Sequence, residues 1–383
     1  MAPQPRIISP MTDRPTPSKA RRALLVSSIS LAVMVLGSEL LLRVVGFSNE
    51  EPDPVYAVWG NELDAQMKSG RGLHQITIGT LWEPRPGAEI PMAPGEFVNS
   101  AGFRGPEREV AKPDGVVRVL TLGDSSSFGM KVAYDECYTA QLEQNLRGAG
   151  LDAETIAGGV IGYTIAQGLE RFRKLSVYSP DVVVLAFGAV NELYPAQGLP
   201  DRPKIAHQKG VGFSKTDVLR ANSKLVQLAH YVRDDLLGGR EADRIAKYEA
   251  WVKAEQHVGG QGALDWPGTR RVAPEDFGAY LDEFVGEIRA AGAIPVLLSM
   301  PRQRVYEVES PFCLKYTKQL EAAAERLDVP LVDGRDLFKW DEVERPDPDQ
   351  LFLDHFHPSA EGHQILAGGL APVVLEALAG TRD

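Results

Sequence analysis

The sequence predicts an α/β protein built on a parallel sheet of five strands with helices on both faces. Short, β-branched apolar runs alternate with segments of helical periodicity, and the run at residues 181–187, DVVVLAF, is the least ambiguous strand. These runs are apolar at consecutive positions, the pattern of strands covered on both sides. The residues of chemical interest fall just past strand ends, where the ligand crevice of an open parallel sheet lies.

The chain has 383 residues, 44% apolar and 24% charged, which is enough for a packed core in one large α/β domain with additions or in two domains. A net charge of −11 argues against nucleic acid or an anionic surface as the main partner. Cys137 and Cys313 lie far apart without metal-type spacing, so they read as two isolated buried thiols, with pairing in an oxidising compartment as the alternative.

Residues 23–45, ALLVSSISLAVMVLGSELLLRVV, are uncharged at their centre and about long enough to cross a bilayer. Lys19, Arg21 and Arg22 precede them, with Arg6 and Arg14 further out. The positive-inside tendency then keeps residues 1–22 cytoplasmic and exports everything after Val45. A cleaved signal peptide is the competing reading, but the apolar run continues past Gly37 without a convincing small-x-small site, so an uncleaved anchor is favoured. Glu39 and Arg43 read as interface residues whose side chains reach toward water.

Residues 46–115 are rich in Pro, Gly and charge, with Trp59, Trp82 and Phe97 as sparse apolar anchors, and read as a tether plus an irregular flap. Within them, residues 99–105, NSAGFRG, offer Arg104 as a contact for an anionic substrate group; a structural ion pair is the blander and favoured reading.

The run from Val116 to Leu122 is the first strand, and Gly123 permits a sharp turn into Asp124, Ser125, Ser126 and Ser127. Tyr138, Leu142 and Leu146 mark a following helix. Ser125 thus stands between strand and helix, where backbone N–H groups converge, as a nucleophile beside an oxyanion hole requires; a capping turn would use the same residues. A second strand at residues 153–157 leads into a glycine turn, GGVIG, in which Gly162 is the natural second oxyanion donor or else simply a turn glycine, and then into a helix through Leu169, Phe172 and Leu175. After the strand at 181–187 comes Gly188-Ala-Val-Asn191-Glu192, where the Asn191 amide is placed either to donate to a developing oxyanion or to cap the next turn.

From about residue 194 to 274 the periodicity is helical but less regular, through Leu219, Leu225, Leu228, Tyr231 and Val232 and then Ile245, Tyr248 and Trp251. This is too long for a connection within a sheet and reads as an inserted helical cap. Alternation resumes with a helix at 274–291, a strand at 294–299, a helix at about 312–327 and a strand at 330–332. Five strands fit a flavodoxin-like winding in three α/β/α layers.

Residues 351–363, LFLDHFHPSAEGH, put Asp354 three residues before His357, ahead of a terminal helix running to about Leu378. One loop can then present the imidazole to Ser125 while the carboxylate fixes its tautomer. His355 adjoins Asp354 and should point elsewhere, and His363 falls inside the helix. A metal held by Asp354, His355 and His357 is the competing reading, without a His or Cys cluster to complete it.

With Gly-Asp-Ser, the glycine turn, the Asn-bearing strand end and Asp-x-x-His in this order, residues 116–378 resemble the SGNH (GDSL-type) hydrolase family. The resemblance implies a serine esterase or acyl-transfer site with Ser125 as nucleophile, His357 as general base and then acid, and Asp354 as its orienting carboxylate. The Ser125 and Gly162 N–H groups and the Asn191 amide would form the oxyanion hole, and no metal or cofactor is implied. The third block departs from the family's Gly-x-Asn-Asp by one extra residue and Glu192 for Asp, which bears on Asn191. Gly-x-Ser-x-Gly is absent, which argues against the common α/β-hydrolase fold.

The anchor and flap resemble membrane-tethered bacterial members, which implies a single-pass inner-membrane protein with its catalytic domain on the periplasmic side. Some such members resemble enzymes that add or remove acetyl groups on extracellular polysaccharides. The expected substrate is an acetylated carbohydrate or other acyl ester, with an O-acyltransferase or a non-catalytic component of an envelope assembly as alternatives.

Overall fold

The structure is a computed structural model and describes residues 19–47, 72–188, 190–194, 196, 200–211, 223–232, 270–309, 311–339 and 348–380. Contacts divide the chain into two units, Met1–Asn49 with Thr216–Gly239, and Glu50–Lys215 with Arg240–Asp383.

The larger unit carries a two-stranded antiparallel hairpin, β1 (His74–Thr77) and β2 (Leu81–Pro84), ahead of a five-stranded sheet. The sheet strands are β3 (Val117–Gly123), β4 (Ala153–Ala157), β5 (Val182–Ala186), β6 (Ile294–Ser299) and β7 (Leu331–Asp333), all parallel, in the order β4-β3-β5-β6-β7. That is the doubly wound order in which the chain reverses its direction of travel across the sheet between β3 and β5. Both neighbours pair in register with β3, Leu120 standing opposite Ile156 on one side and Val183 on the other.

Strand periodicity sorts the apolar side chains into two cores. Val119, Val184, Val296 and Leu298 face one cluster, completed by Tyr138, Leu142 and Leu146 of the helix Tyr138–Gly148 and by Leu366, Leu370 and Val374 of the terminal helix Ala360–Ala379. Leu120, Leu122, Val183, Leu185 and Leu297 face the other, with Leu169 and Phe172 of Ile165–Leu175, Phe277, Leu281 and Phe284 of Pro274–Ala290, and Tyr316 and Leu320 of Leu314–Leu327. The helices packed on these two faces are the outer layers of the three-layer fold. The strands expected at 153–157 and 294–299 form with those ends, and the remaining three begin one residue later than expected.

Two stretches differ from the sequence reading. The flap, expected to be irregular, is folded onto the larger unit from residue 72 onward, because Leu81, Trp82 and Phe103 enter its core and Arg104 bridges by backbone to Ala157. Trp59 lies outside the described residues. The insertion divides: Asp201–Val211 belongs to the larger unit, while the helix Lys224–Tyr231 belongs to the smaller one, and the segment around Ile245, Tyr248 and Trp251 lies outside the described residues.

The smaller unit pairs Lys224–Tyr231 with α1 (Lys19–Val44), whose residues Arg21–Val44 are long and apolar enough to cross a membrane. The terminal helix Ala360–Ala379 meets the same length and composition criteria, but its Leu366, Leu370 and Val374 are buried in the core described above.

Candidate active site

Gly123 closes β3 at a point where no side chain fits, since a Cβ there would lie 2.1 Å from the Ser127 hydroxyl and 2.6 Å from the Ala186 carbonyl. The chain turns at once into the short helix Ser125–Phe128, with Asp124 as N-cap accepting from the Ser126 N–H at 2.9 Å. Ser125 is therefore the first residue of a helix at the carboxyl end of the strand beside the topological switch, and the residue is 7% exposed.

The loop after Leu351 brings the imidazole. It is closed by a bridge between Phe352 and Pro358 and by the Leu353 N–H on the His357 carbonyl. Inside it Asp354 Oδ1 accepts from the backbone N–H groups of Phe356 (3.1 Å) and His357 (2.9 Å), so the i,i+3 spacing read in the sequence is set by backbone as well as side chain. The Ser126 hydroxyl donates to the Phe356 carbonyl at 3.0 Å and ties this loop to the turn after β3.

The result is a hydrogen-bonded chain. His357 Nε2 lies 2.8 Å from Ser125 Oγ, and His357 Nδ1 lies 2.7 Å from Asp354 Oδ2. Lys131 Nζ donates to the same Oδ2 at 2.6 Å. Burial opposes ionisation of Asp354, but the hydrogen bonds from His357 and Lys131 outweigh it and hold the carboxyl well below the usual range. A hydroxyl, an imidazole and a carboxylate in this order can pass the hydroxyl proton to the ring while the carboxylate steadies the cation formed. His355 is turned away, its Nδ1 3.1 Å from Gln303 Oε1 and its ring stacked on Tyr306. His363 is buried against Tyr138, whose N–H its Nδ1 accepts at 3.2 Å. Among the described residues no group of three or more His, Cys, Asp and Glu side chains is arranged to hold a metal ion, and Cys137 and Cys313 are both buried and free.

Asn191 follows β5 and is 2% exposed; its Nδ2 donates to Asp124 Oδ2 at 3.0 Å. Burial raises Asp124 above its ordinary value, partly offset by the Ser126 N–H. Gly162, at φ +80°, forms the turn before Ile165–Leu175. Arg104 is not available to an anionic ligand: it is 2% exposed, and its guanidinium is committed to Glu96 and to the carbonyls of Phe128, Gly129 and Val132.

Sequence reasoning missed what holds the Gly162 turn. Arg271 Nη1 donates to the Gly162 carbonyl at 2.8 Å, and the same guanidinium binds Asp201 and Gln167. Thr164 Oγ1 donates to Asp201 at 2.7 Å, and Glu192 Oε1 accepts from the Ile165 N–H at 3.0 Å. Trp82 of the flap donates through Nε1 to the Ile161 carbonyl at 3.1 Å, and its ring meets Tyr163 edge-on. Buried Arg, Asp and Glu carry no periodic signal, and only a pairing partner distant in sequence justifies burying them.

A family model described as the GDSL-like Lipase/Acylhydrolase family matches residues 121–365. Among solved structures, the chain is similar to a GDSL-like lipase from Bacteroides thetaiotaomicron at 14% identity, covering 68% of this chain and 88% of that one, with a TM-score of 0.38. It is also similar to an acetyl xylan esterase from Geobacillus stearothermophilus at 16% identity, covering 66% and 92%, with a TM-score of 0.40. No match was found among curated protein sequences.

Proposed function

Because the chain belongs to the GDSL-like lipase/acylhydrolase family and is an ester-bond hydrolase, we propose that it is a serine esterase acting on acetyl or other short acyl esters of cell-envelope carbohydrate. Ser125 attacks the ester carbonyl while His357 takes its proton through Nε2, and Asp354 holds the ring and stabilises the imidazolium. The developing oxyanion is met by the N–H groups of Ser125 and Gly162 and by the Asn191 amide. His357 returns the proton to the leaving alcohol, and water then resolves the acyl-enzyme with the same residue as base. Were a sugar hydroxyl to take the place of water, the same site would be an O-acyltransferase.

The observation that carries this reading is the unbroken chain of hydrogen bonds from Ser125 Oγ through both nitrogens of His357 to Asp354. The carbohydrate side of the proposal rests on location. In our reading residues 1–22 are a cytoplasmic tail, 23–45 an uncleaved inner-membrane anchor, 46–115 a periplasmic tether and flap, and 116–379 the hydrolase domain with its insertion. An esterase held on that face meets envelope glycans.

The test is labelling by a serine-reactive fluorophosphonate. Wild type should label, and Ser125→Ala should not. Absence of labelling in folded wild type would contradict the mechanism and favour a binding role for the site.

A further inference from the structure

Glu39 is the acidic residue of α1, four-fifths of the way along it. Its carboxylate is not left to solvent: Oε1 accepts from the Lys224 N–H at 3.0 Å, and Oε2 from the Leu225 N–H at 3.0 Å and the Ser223 hydroxyl at 2.9 Å. Arg43, one turn on, completes the set at 2.9 Å. Ser223 is also the N-cap of Lys224–Tyr231, its Oγ accepting from the Val226 N–H. A carboxylate on the first free N–H groups of a helix satisfies donors that would otherwise lack partners and sits at the positive end of the helix dipole.

The contact continues past this cap. Phe47, just beyond α1, meets Tyr231, at the other end of the short helix, edge-on at 6.2 Å. Residues 39 and 47 thus meet 223–225 and 231 in the same order, so the short helix runs beside the outer end of α1 in the same direction. In the stretch of α1 from Arg21 to Val44 only Ser38, Glu39 and Leu42 are partly covered, one face at i and i+3/i+4 spacing. At 1.5 Å per residue Glu39 stands about 8 Å from the end of the helix, in the zone where a bilayer's hydrocarbon gives way to headgroups. A carboxylate there is tolerated when donors surround it, and the inserted segment supplies three.

We propose that the helix Lys224–Tyr231 is a docking element for the membrane anchor, so that the hydrolase domain is attached to the bilayer twice: through the chain leaving α1 and, independently, through its own insertion clasped by Glu39. The insertion therefore serves attachment at one end, where the sequence alone suggested a cap. The proposal rests on the reading of α1 as a retained anchor.

The experiment uses the full chain in membrane vesicles with a site-specific protease sequence placed between Phe47 and Gly72. After cleavage, the wild-type domain stays in the membrane pellet, and Glu39→Leu raises the released fraction about five-fold or more, since the N–H groups of Lys224 and Leu225 lose their acceptor. In a second arm, Phe47→Cys with Tyr231→Cys bridged by a short bis-maleimide keeps the two cleaved fragments joined on a denaturing gel, whereas Leu24→Cys with Tyr231→Cys leaves them separate. Release of wild type together with failure of the first cysteine pair to join overturns the proposal. So does retention that Glu39→Leu leaves unchanged. A mature protein whose mass lacks α1 overturns the anchor reading itself, which separates the two failures.

Discussion

Arg271 grips the carbonyl of Gly162 and the carboxylate of Asp201 with one buried guanidinium, at 2.8 Å and 2.7 Å. Asp201 and Arg271 stand near the two ends of the inserted segment, so the base of the insertion is stapled to the Gly162 turn, the one that carries the second oxyanion donor in our proposal. The carbonyl that Arg271 grips belongs to the Gly162–Tyr163 peptide, while the adjoining Ile161–Gly162 peptide is held through the Ile161 carbonyl by Trp82 Nε1 at 3.1 Å. Because each peptide unit is planar, the two contacts together fix the direction of the Gly162 N–H.

Arg271 is on this account a positioning residue. Arg271→Lys keeps the charge but loses the fork that reaches three acceptors at once. The expected result is a fall in kcat of about tenfold per titrated active site, with KM changed less than about twofold. A purely structural role would lower the titrated fraction and leave kcat per site untouched.

Asn191 spends an N–H on Asp124, and a carboxamide has a second to offer. Asn191→Ala should lower kcat about 100-fold, in the range for loss of one oxyanion donor, with little change in KM. Unchanged kcat would remove Asn191 from the oxyanion hole and leave it as the partner of Asp124.

Lys131 reaches Asp354 from a left-handed backbone position, φ +72°. Asp354 is held below its ordinary value in the folded protein, so its contribution to stability is present above the unfolded-state value near 4 and is lost as pH falls below it. Lys131→Met should therefore raise the pH at which the Asp354 carboxyl takes up its proton in the folded protein, read by NMR titration of the side-chain carboxyl carbon. An unchanged titration would show that Lys131 is not coupled to the protonation of Asp354.

Two buried histidines predict acid sensitivity. Burial, aided by nearby arginines, pushes His74 and His363 down to about 3. Below about 6.5 the unfolded chain takes up protons that the folded one does not, so stability is full above that value and falls as pH drops toward 3. Each such histidine costs about 1.4 kcal/mol per pH unit in that window. Neither ring nitrogen of His74 has a hydrogen-bond partner among the described residues. His74→Phe should lessen the fall between pH 6 and pH 4 by that slope, and an unchanged slope would contradict the assignment.

The sheet was legible because burial on both faces writes itself into consecutive apolar residues such as Val182 to Ala186. Ser125, Asp354 and His357 were legible because a strand end and a three-residue spacing are local features, even though His357 meets Ser125 across 232 residues. Arg271 and Lys131 were not, since each acts through a partner that no local pattern names; Trp82 was legible as an apolar anchor, but its hydrogen bond to the Ile161 carbonyl was not. Glu39 was read as reaching for water for the same reason: its donors lie in Ser223, Lys224 and Leu225, far along the chain. Arg104 shows the converse. A turn-rich stretch with one arginine offered a ligand contact as the alternative to a structural ion pair, and the ion pair is what forms: Arg104 holds Glu96 at 2.7 Å and is enclosed by the carbonyls of Phe128, Gly129 and Val132.

The central claim is the catalytic pairing of Ser125 with His357, and the most direct measurement is hydrolysis of p-nitrophenyl acetate by the full-length protein in detergent, compared with Ser125→Ala and His357→Ala. The account predicts turnover by wild type and a loss of at least about 1,000-fold in kcat/KM in each variant, with the double variant no worse than either single one, as residues acting as a unit behave. Wild-type turnover that survives in Ser125→Ala would contradict it.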